Sequence, residues 1–217
     1  MYQIFLLGIP VGLQSLVISL SNVFVQGQIN MLGSTAIAAF TVYFKVELII
    51  YYPIMALGQG LMTFVGHQIG AKDERNADLI TKKAVAFGTA VAAGLSIITM
   101  LLARPLFRVF IPNQETIELG AQITRLNFPF YFTYVFLQLF GDSLRGRGIV
   151  RQPMAVVLIN FSVIRTLALL FAVNDRKSVL WIAACYPFTW VTAAICMTVL
   201  YHHYTRRKKD PWLRGKK

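Results

Sequence analysis

The first 71 residues of the chain contain only two charged side chains, Lys45 and Glu47. A soluble domain cannot hide so long an uncharged stretch, because even its surface helices carry charged residues on their solvent face. A helix needs about 20 apolar residues to cross a hydrocarbon core about 30 Å thick, so this stretch is long enough for two crossings. The sequence therefore predicts an integral membrane protein in which Lys45 and Glu47 are exceptions that require an explanation.

Apolar runs recur along the whole chain and predict six transmembrane helices, A to F in chain order. Helices are favoured over barrel strands because the runs are longer and more evenly apolar than the alternating segments of about ten residues that form barrels. The approximate limits of the six segments are residues 4–26, 36–66, 84–103, 121–141, 154–173 and 179–201. The predicted fold is all-α, a six-helix transmembrane lobe over residues 1–205 that is followed by a basic tail over residues 206–217.

Lysine and arginine residues are distributed unequally over the predicted connections. Fourteen lie in the B–C connection, the D–E connection or the C-terminal tail, whereas four lie in the other connections. Because basic residues concentrate in cytoplasmic loops, we predict a multi-pass protein of the cell (inner) membrane with both termini cytoplasmic. The net charge of +12 is then a consequence of topology. We predict no nucleic-acid partner, since the basic residues flank apolar runs and do not cover one folded aqueous face.

Polar residues inside the predicted helices A, B and D fall on single helical faces. Because polar groups inside a membrane are costly, these stripes predict a substrate or ion pathway bordered by A, B and D, while C, E and F face lipid more. The alternative is that the stripes only form hydrogen bonds between packed helices. The predicted pathway residues are Ser15, Ser19, Asn22 and Gln26 on A, Lys45, Glu47, Tyr52 and Gln59 on B, and Asn127, Tyr131, Tyr134 and Gln138 on D.

Ionisable residues inside the segments require partners or access to water. Lys45 and Glu47 lie about 200° apart around a helix, so they cannot pair well with each other. We expect a structural pairing for Lys45, and either a structural or a proton-carrying role for Glu47. Arg165 in segment E is expected to be structural or to reach the outer interface with its long side chain. Arg125 and Asp142 lie near opposite ends of segment D, where interfacial anchoring is expected.

The sequence contains no pattern typical of an enzyme or of a metal site. There is no HExxH motif, and Gly146 and Gly148 are not followed by the lysine and serine of a phosphate-binding loop. The two cysteines, Cys185 and Cys196, lie about 16 Å apart along one predicted helix, too far for a disulfide within it. We therefore predict no catalytic residues, no metal ligands and no bound cofactor.

Several short motifs occur in an order that is typical of one transporter family. They are LGSTAIAAF at residues 32–40, ALGQG at 56–60, QIGA at 68–71 and LRGRG at 144–148. Through these motifs the chain resembles the multidrug and toxic compound extrusion (MATE) family of secondary transporters. The resemblance covers nearly the whole chain.

This resemblance implies a protein of twelve helices in two six-helix lobes around a central cavity, which exchanges Na⁺ or H⁺ for small cationic organic substrates. The basic tail and a first helix with Pro10 make the chain similar to the C-terminal lobe. It would need an N-terminal lobe, or a second copy of itself, as a partner in the bilayer. Sodium-coupled members place acids on the first and fourth helices of this lobe. Segment A has none and segment D carries Tyr134, so coupling would rely on Glu47 or on the other lobe.

The sequence leaves two alternatives open. One is a lobe of a lipid-linked oligosaccharide flippase of the same broad fold. The basic residues Lys45 and Arg165 would support this alternative. The other is a truncated, non-transporting fragment or a membrane interaction protein. The substrate is not readable from these residues.

Overall fold

The computed structural model describes residues 2–175 and 178–209, and it contains helices but no strand in those ranges. A 3₁₀ turn, Phe128–Phe130, joins α5 to α6, and a π-helical turn, Ile159–Ile164, joins α7 to α8. The α-helices are α1 (Tyr2–Asn30), α2 (Ser34–Gly70), α3 (Glu74–Leu101), α4 (Ala103–Phe110), α5 (Gln114–Asn127), α6 (Tyr131–Gly146), α7 (Arg151–Leu158), α8 (Arg165–Asp175) and α9 (Val179–Lys209).

The helices confirm the predicted all-α membrane fold. Within the described residues, four helical stretches are long and apolar enough to cross a membrane: Ser34–Gly70, Glu74–Leu101, Arg151–Phe171 and Val179–Arg206. These stretches correspond to the predicted segments B, C, E and F. Segment A corresponds to α1, which has 29 residues.

Segment D is not one helix, because the 3₁₀ turn divides it into α5 with 14 residues and α6 with 16 residues. Pro129 lies in this turn, and a proline has no N–H to continue the hydrogen-bond ladder of a helix. Pro53 and Pro187, in contrast, lie inside uninterrupted helices. The break ends α5 at Asn127, and α6 begins at Tyr131.

The centre of the bundle is α6, which packs against α2, α3 and α9. Eleven of its residues are buried, and they include Tyr131, Val135 and Leu139. At Gly146 the α6 backbone comes so close to α2 that a Cβ atom would lie 2.5 Å from the carbonyl oxygen of Met62. This close approach holds the end of α6 directly against α2.

Three parts of the chain meet at one end of the bundle, which we call the basic end. Arg147, directly after α6, donates a hydrogen bond from Nη2 to Oδ1 of Asp78 on α3 at 2.7 Å. The Tyr201 hydroxyl near the end of α9 donates to the same Asp78 oxygen at 3.3 Å. The B–C connection, the D–E connection and the last turns of segment F, which carry most of the basic residues, therefore lie together.

Candidate functional site

Glu47 lies on the face of α2 that is turned toward α6, where it is half-buried. The Tyr131 hydroxyl on α6 forms a hydrogen bond with its carboxylate, and the Arg165 guanidinium on α8 interacts with it electrostatically. Tyr43 lies one turn before Glu47 on α2 and accepts a hydrogen bond from Nδ2 of Asn127 at 3.1 Å. An acidic side chain inside the membrane is thus surrounded by hydroxyl groups and one positive charge.

Arg165 is 3% exposed, although it carries a full charge in the middle of a membrane-spanning segment. Nη1 donates to Oδ1 of Asn22 on α1 at 3.3 Å, and Nη2 donates to Oγ1 of Thr189 on α9 at 3.5 Å. The guanidinium lies 4.4 Å from the ring centroid of Phe161 and 4.9 Å from that of Tyr186. Of the two roles expected for Arg165, these contacts support the structural one, because polar partners and aromatic faces hold the side chain in the interior.

The π-helical turn before α8 contributes to this placement. Such turns are rare and occur frequently at functional sites. Ser21 on α1 donates from its hydroxyl to the freed carbonyl of Phe161, and Asn160 donates to the carbonyl of Val156 at 2.8 Å. The wide turn ends directly before Arg165 and is fixed to α1 by the Ser21 hydrogen bond.

Aromatic rings connect the surroundings of Glu47 and Arg165. The Trp190 ring on α9 lies 5.0 Å from the Tyr131 ring and 6.4 Å from the Tyr186 ring, measured between centroids. The Tyr134 ring lies 5.6 Å from that of Tyr131. We call this group the Glu47 cluster and define it by its members, which are Tyr43, Glu47, Tyr131, Tyr134, Arg165, Tyr186 and Trp190.

A line of hydrogen bonds continues along α6 from the Glu47 cluster toward the basic end. The Tyr134 hydroxyl donates to Oε1 of Gln138 at 3.2 Å, and Nε2 of Gln138 donates to Oδ2 of Asp142 at 2.7 Å. The other oxygen of Asp142 forms an ion pair with Arg145 at 2.9 Å. A methyl group at Gly58 on α2 would overlap the Asp142 carboxylate, so only glycine fits opposite it. Asp142 is 4% exposed and is not the interfacial anchor expected from the sequence.

Lys45 lies on a different face of α2 from Glu47. It is exposed, and its Nζ atom lies 5.5 Å from the ring centroid of Phe110. Tyr52 is also exposed, at 58%, and so is Gln59. These members of the predicted pathway point away from the core of this lobe and do not join the Glu47 cluster.

On α1 the predicted stripe is divided in a similar way. Ser19 and Asn22 are exposed, and Gln26 is half-buried and donates to Oδ1 of Asn30 at 3.0 Å. Asn22 reaches inward through its hydrogen bond with Arg165. The side chain of Ser15 lies outside the described residues. The polar face of α1 is therefore turned away from the lobe core, except where Asn22 contacts Arg165.

The structure brings together the residues predicted on segment D and joins them to one of the four predicted on segment B. Asn127, Tyr131 and Tyr134 are buried, and Gln138 is half-buried. Sequence reasoning missed the contribution of α9, because segment F was expected to face lipid. Tyr186, Thr189 and Trp190 on α9 are all buried, and their spacing of three and four residues is a helical stripe that could have revealed them.

Another side of α9 is apolar, and the expectation that segment F faces lipid stays a prediction for that side. An apolar groove between α6 and α9 is lined by side chains such as Phe136 and Val199 and does not include the Glu47 cluster. Among the described residues, no three His, Cys, Asp or Glu side chains are grouped closely enough to hold a metal ion. The chemistry available to the Glu47 cluster is therefore that of one carboxylate, several hydroxyl groups, one guanidinium and aromatic faces.

Comparisons with known proteins agree with this architecture. The MatE family model matches residues 10–169. The chain is 28% identical to the multidrug resistance protein NorM of Aliivibrio fischeri over 145 residues, which cover 67% of this chain and 32% of that protein. It is 27% identical to the probable multidrug resistance protein NorM of Chromobacterium violaceum over 198 residues, which cover 89% of this chain and 41% of that protein.

Among solved structures, the chain is similar in fold to a MATE protein crystallised with MaL6. The TM-score is 0.88 at 15% sequence identity, and the match covers 95% of this chain and 47% of that one. The chain thus spans less than half the length of these relatives. The family model, which matches most of the chain, and the shared fold together show that this membrane protein belongs to the MatE family of transporters.

Proposed function

We propose that this chain is one lobe of a secondary multidrug transporter and that Glu47 binds its coupling ion, either H⁺ or Na⁺. The observation that carries the proposal is the environment of Glu47. The two buried acids of the described bundle, Asp78 and Asp142, form ion pairs with Arg147 and Arg145, whereas no side chain of the described residues forms an ion pair with Glu47, whose hydrogen-bond partner is the neutral Tyr131 hydroxyl. A carboxylate that is hydrogen-bonded to a neutral hydroxyl and has no ion-pair partner among the described residues is available to bind one cation and then another.

The names of the relatives support the transported class. The two NorM proteins are multidrug resistance proteins, and members of the family exchange an ion for small organic cations. The aromatic rings of Tyr131, Tyr134 and Trp190 beside a carboxylate suit such substrates, because a cation is attracted both to a carboxylate and to an aromatic face. We infer that the substrate is a small, apolar organic cation.

The proposal includes a partner lobe. The chain spans 41% of the length of the C. violaceum NorM protein, and its α1 and α2 expose Ser19, Tyr52 and Gln59 within membrane-spanning helices. Exposed polar groups at this depth favour contact with a second lobe or with a water-filled cavity between lobes. We assign the chain to the C-terminal position because of its basic tail, with an N-terminal lobe or a second copy of the chain as partner.

The flippase alternative has less support. A flippase lobe would use basic side chains to bind a pyrophosphate, but Arg165 is enclosed by Phe161 and Tyr186, and Lys45 lies over Phe110 on an exposed face. The two basic groups therefore do not converge on one anion.

Efflux from proteoliposomes tests the proposed function. The chain is reconstituted alone and together with a separately expressed N-terminal lobe of a MatE protein, and export of ethidium is followed after an H⁺ or Na⁺ gradient is imposed. We expect ion-driven export when a partner lobe is present, from the added N-terminal lobe or from a second copy of the chain, and its loss in Glu47→Gln. Glu115→Gln is the matched control, because Glu115 is an exposed residue in the first turn of α5. Equal export by the two variants would contradict the role of Glu47.

A further inference from the structure

Arg165 differs from Arg147, which is also buried, and from Arg145, which is half-buried. Arg145 and Arg147 form ion pairs at 2.9 Å and 2.7 Å. No carboxylate within the described ranges lies at ion-pair distance from Arg165. Burying a charge without an ion-paired partner is costly, so its position at 3% exposure indicates a function that a neutral residue could not fulfil.

Ring contacts place Arg165 beside the part of α2 that carries Glu47: its guanidinium lies 4.9 Å from the Tyr186 ring, and the Tyr186 ring lies 6.0 Å from that of Phe44, three residues before Glu47. Among the described residues, Arg165 is also the one charged group of the neighbouring elements that acts electrostatically on Glu47. The other groups are hydroxyls, which come from Tyr43 on α2 itself, from Tyr131 and Tyr134 on α6 and from Tyr186 on α9. Arg165 also cannot easily move away, because it is held by Asn22 on α1 and Thr189 on α9 and by the rings of Phe161 and Tyr186.

We propose that Arg165 is a fixed positive charge that controls the ion occupancy of Glu47 without touching the transported substrate. When Glu47 is ionised, the carboxylate and the guanidinium together have no net charge. When a proton adds to a Glu47 oxygen, the cluster carries one net positive charge and repels an organic cation. This inference rests on the proposed function. The role it gives to Arg165 is to prevent the proton and the substrate from binding at the same time.

The expected size of the effect follows from electrostatics. An opposite charge within about 4–6 Å changes the proton affinity of a carboxyl group by roughly ten- to a thousandfold. Because Arg165 lies beyond ion-pair distance, we expect the lower part of this range, on the order of tenfold. Removing the guanidinium should therefore make Glu47 hold its proton at a pH about one unit higher.

Trp190 provides a built-in reporter for the experiment, since its ring lies 5.0 Å from that of Tyr131, which bonds Glu47. With Trp181 and Trp212 replaced by phenylalanine, the fluorescence of Trp190 is followed against pH in the detergent-solubilised 217-residue chain. We expect one transition that disappears in Glu47→Gln. A transition that persists in Glu47→Gln would overturn the inference, because Trp190 would then report another group.

Three arginine variants separate the charge of Arg165 from its packing. In Arg165→Gln the midpoint should move to higher pH by about one unit, and in Arg165→Lys, which keeps the charge, by less than half as much. Arg125→Gln removes a positive charge from an exposed position on α5 and should leave the midpoint in place. An unchanged midpoint in Arg165→Gln, or equal shifts in Arg165→Gln and Arg165→Lys, would overturn the inference.

Arg165→Gln removes one partner of a buried charged group and can fail to fold. In that case the double variant Glu47→Gln/Arg165→Gln tests whether the two charges depend on each other, because it also removes the carboxylate that lost its counter-charge. Recovery of folded protein supports the inference, and no recovery overturns it.

The titration and the efflux assay fail in different ways. If Glu47→Gln keeps ion-driven efflux while Arg165→Gln still shifts the Trp190 midpoint, the proposed function is wrong and the electrostatic control of Glu47 by Arg165 stands. If Glu47→Gln abolishes efflux while the midpoint is unchanged in Arg165→Gln, the proposed function stands and the inference about Arg165 is wrong.

Discussion

The ion pair between Arg147 and Asp78 at the basic end allows a quantitative test of how this lobe is held together. The side chains are 2% and 11% exposed, and Nη2 lies 2.7 Å from Oδ1. Replacing Arg147 by glutamine removes the guanidinium from a buried carboxylate, which costs about 3–5 kcal/mol in free energy of unfolding. The Tyr201 hydroxyl donates to Asp78 with and without Arg147, so the carboxylate keeps one partner, and we expect a loss near the lower end of this range, about 3 kcal/mol.

The chain contains a matched control for this substitution. Arg104 and Glu118 form an ion pair of similar length, 2.9 Å, but their side chains are 53% and 36% exposed. Arg104→Gln should therefore cost no more than about 1 kcal/mol. Both variants are compared with the unchanged chain by unfolding in mixed micelles with increasing sodium dodecyl sulfate. The burial argument is refuted if Arg147→Gln is no more destabilising than Arg104→Gln.

Three further predictions follow from the packing and from the exposed polar faces. Gly58→Ala should lower the free energy of unfolding by about 1–3 kcal/mol, because the added methyl group overlaps the Asp142 carboxylate. Gly60→Ala is the control, since a methyl group there meets no other atom and should not destabilise the chain. The same micelle assay compares the two variants. In a chain without native cysteines, a cysteine at Gln59 should react with a water-soluble thiol reagent faster than a cysteine at Val199. If both cysteines react equally slowly, the polar residues only pack between helices and line no hydrated pathway. Reporter fusions in the B–C and D–E connections should give cytoplasmic signals, and fusions in the A–B and C–D connections external signals; reversed signals would overturn the predicted orientation.

The fold was predictable from the sequence because the length of an apolar run and the thickness of a membrane nearly determine each helix. The break in segment D had a visible signal in Pro129, which lies in the 3₁₀ turn at the end of α5. The π-helical turn Ile159–Ile164 had no such signal. It depends on contacts from distant parts of the chain, such as the hydrogen bond from Ser21 to the Phe161 carbonyl.

The candidate site was predictable only in part. A helical wheel is sufficient to separate Glu47 from Lys45 and to align Tyr131, Tyr134 and Gln138, because these relations lie within one helix. Arg165 could not be placed in the same way. A long arginine side chain inside a membrane can reach an interface or turn inward, and only the rings of Phe161 and Tyr186 and the polar groups of neighbouring helices determine which.

The aromatic side of the cluster was missed for a related reason. Tyr186 and Trp190 lie in segment F, which the sequence predicts to face lipid, and aromatic side chains suit lipid and protein interiors equally well. Their stripe on α9 becomes meaningful only once α6 is seen to bring Tyr131 against Trp190.

The central claim is that Glu47 binds an ion and a cationic substrate in turn. It is tested most directly by measuring ion release when the substrate binds. Ethidium is added to the assembled lobes in weakly buffered, sodium-free detergent solution with a pH-sensitive dye, and in a parallel sample that contains radioactive Na⁺. We predict release of about one H⁺ or one Na⁺ per bound ethidium in the unchanged protein and none in Glu47→Gln. Equal release by the two proteins would contradict the claim.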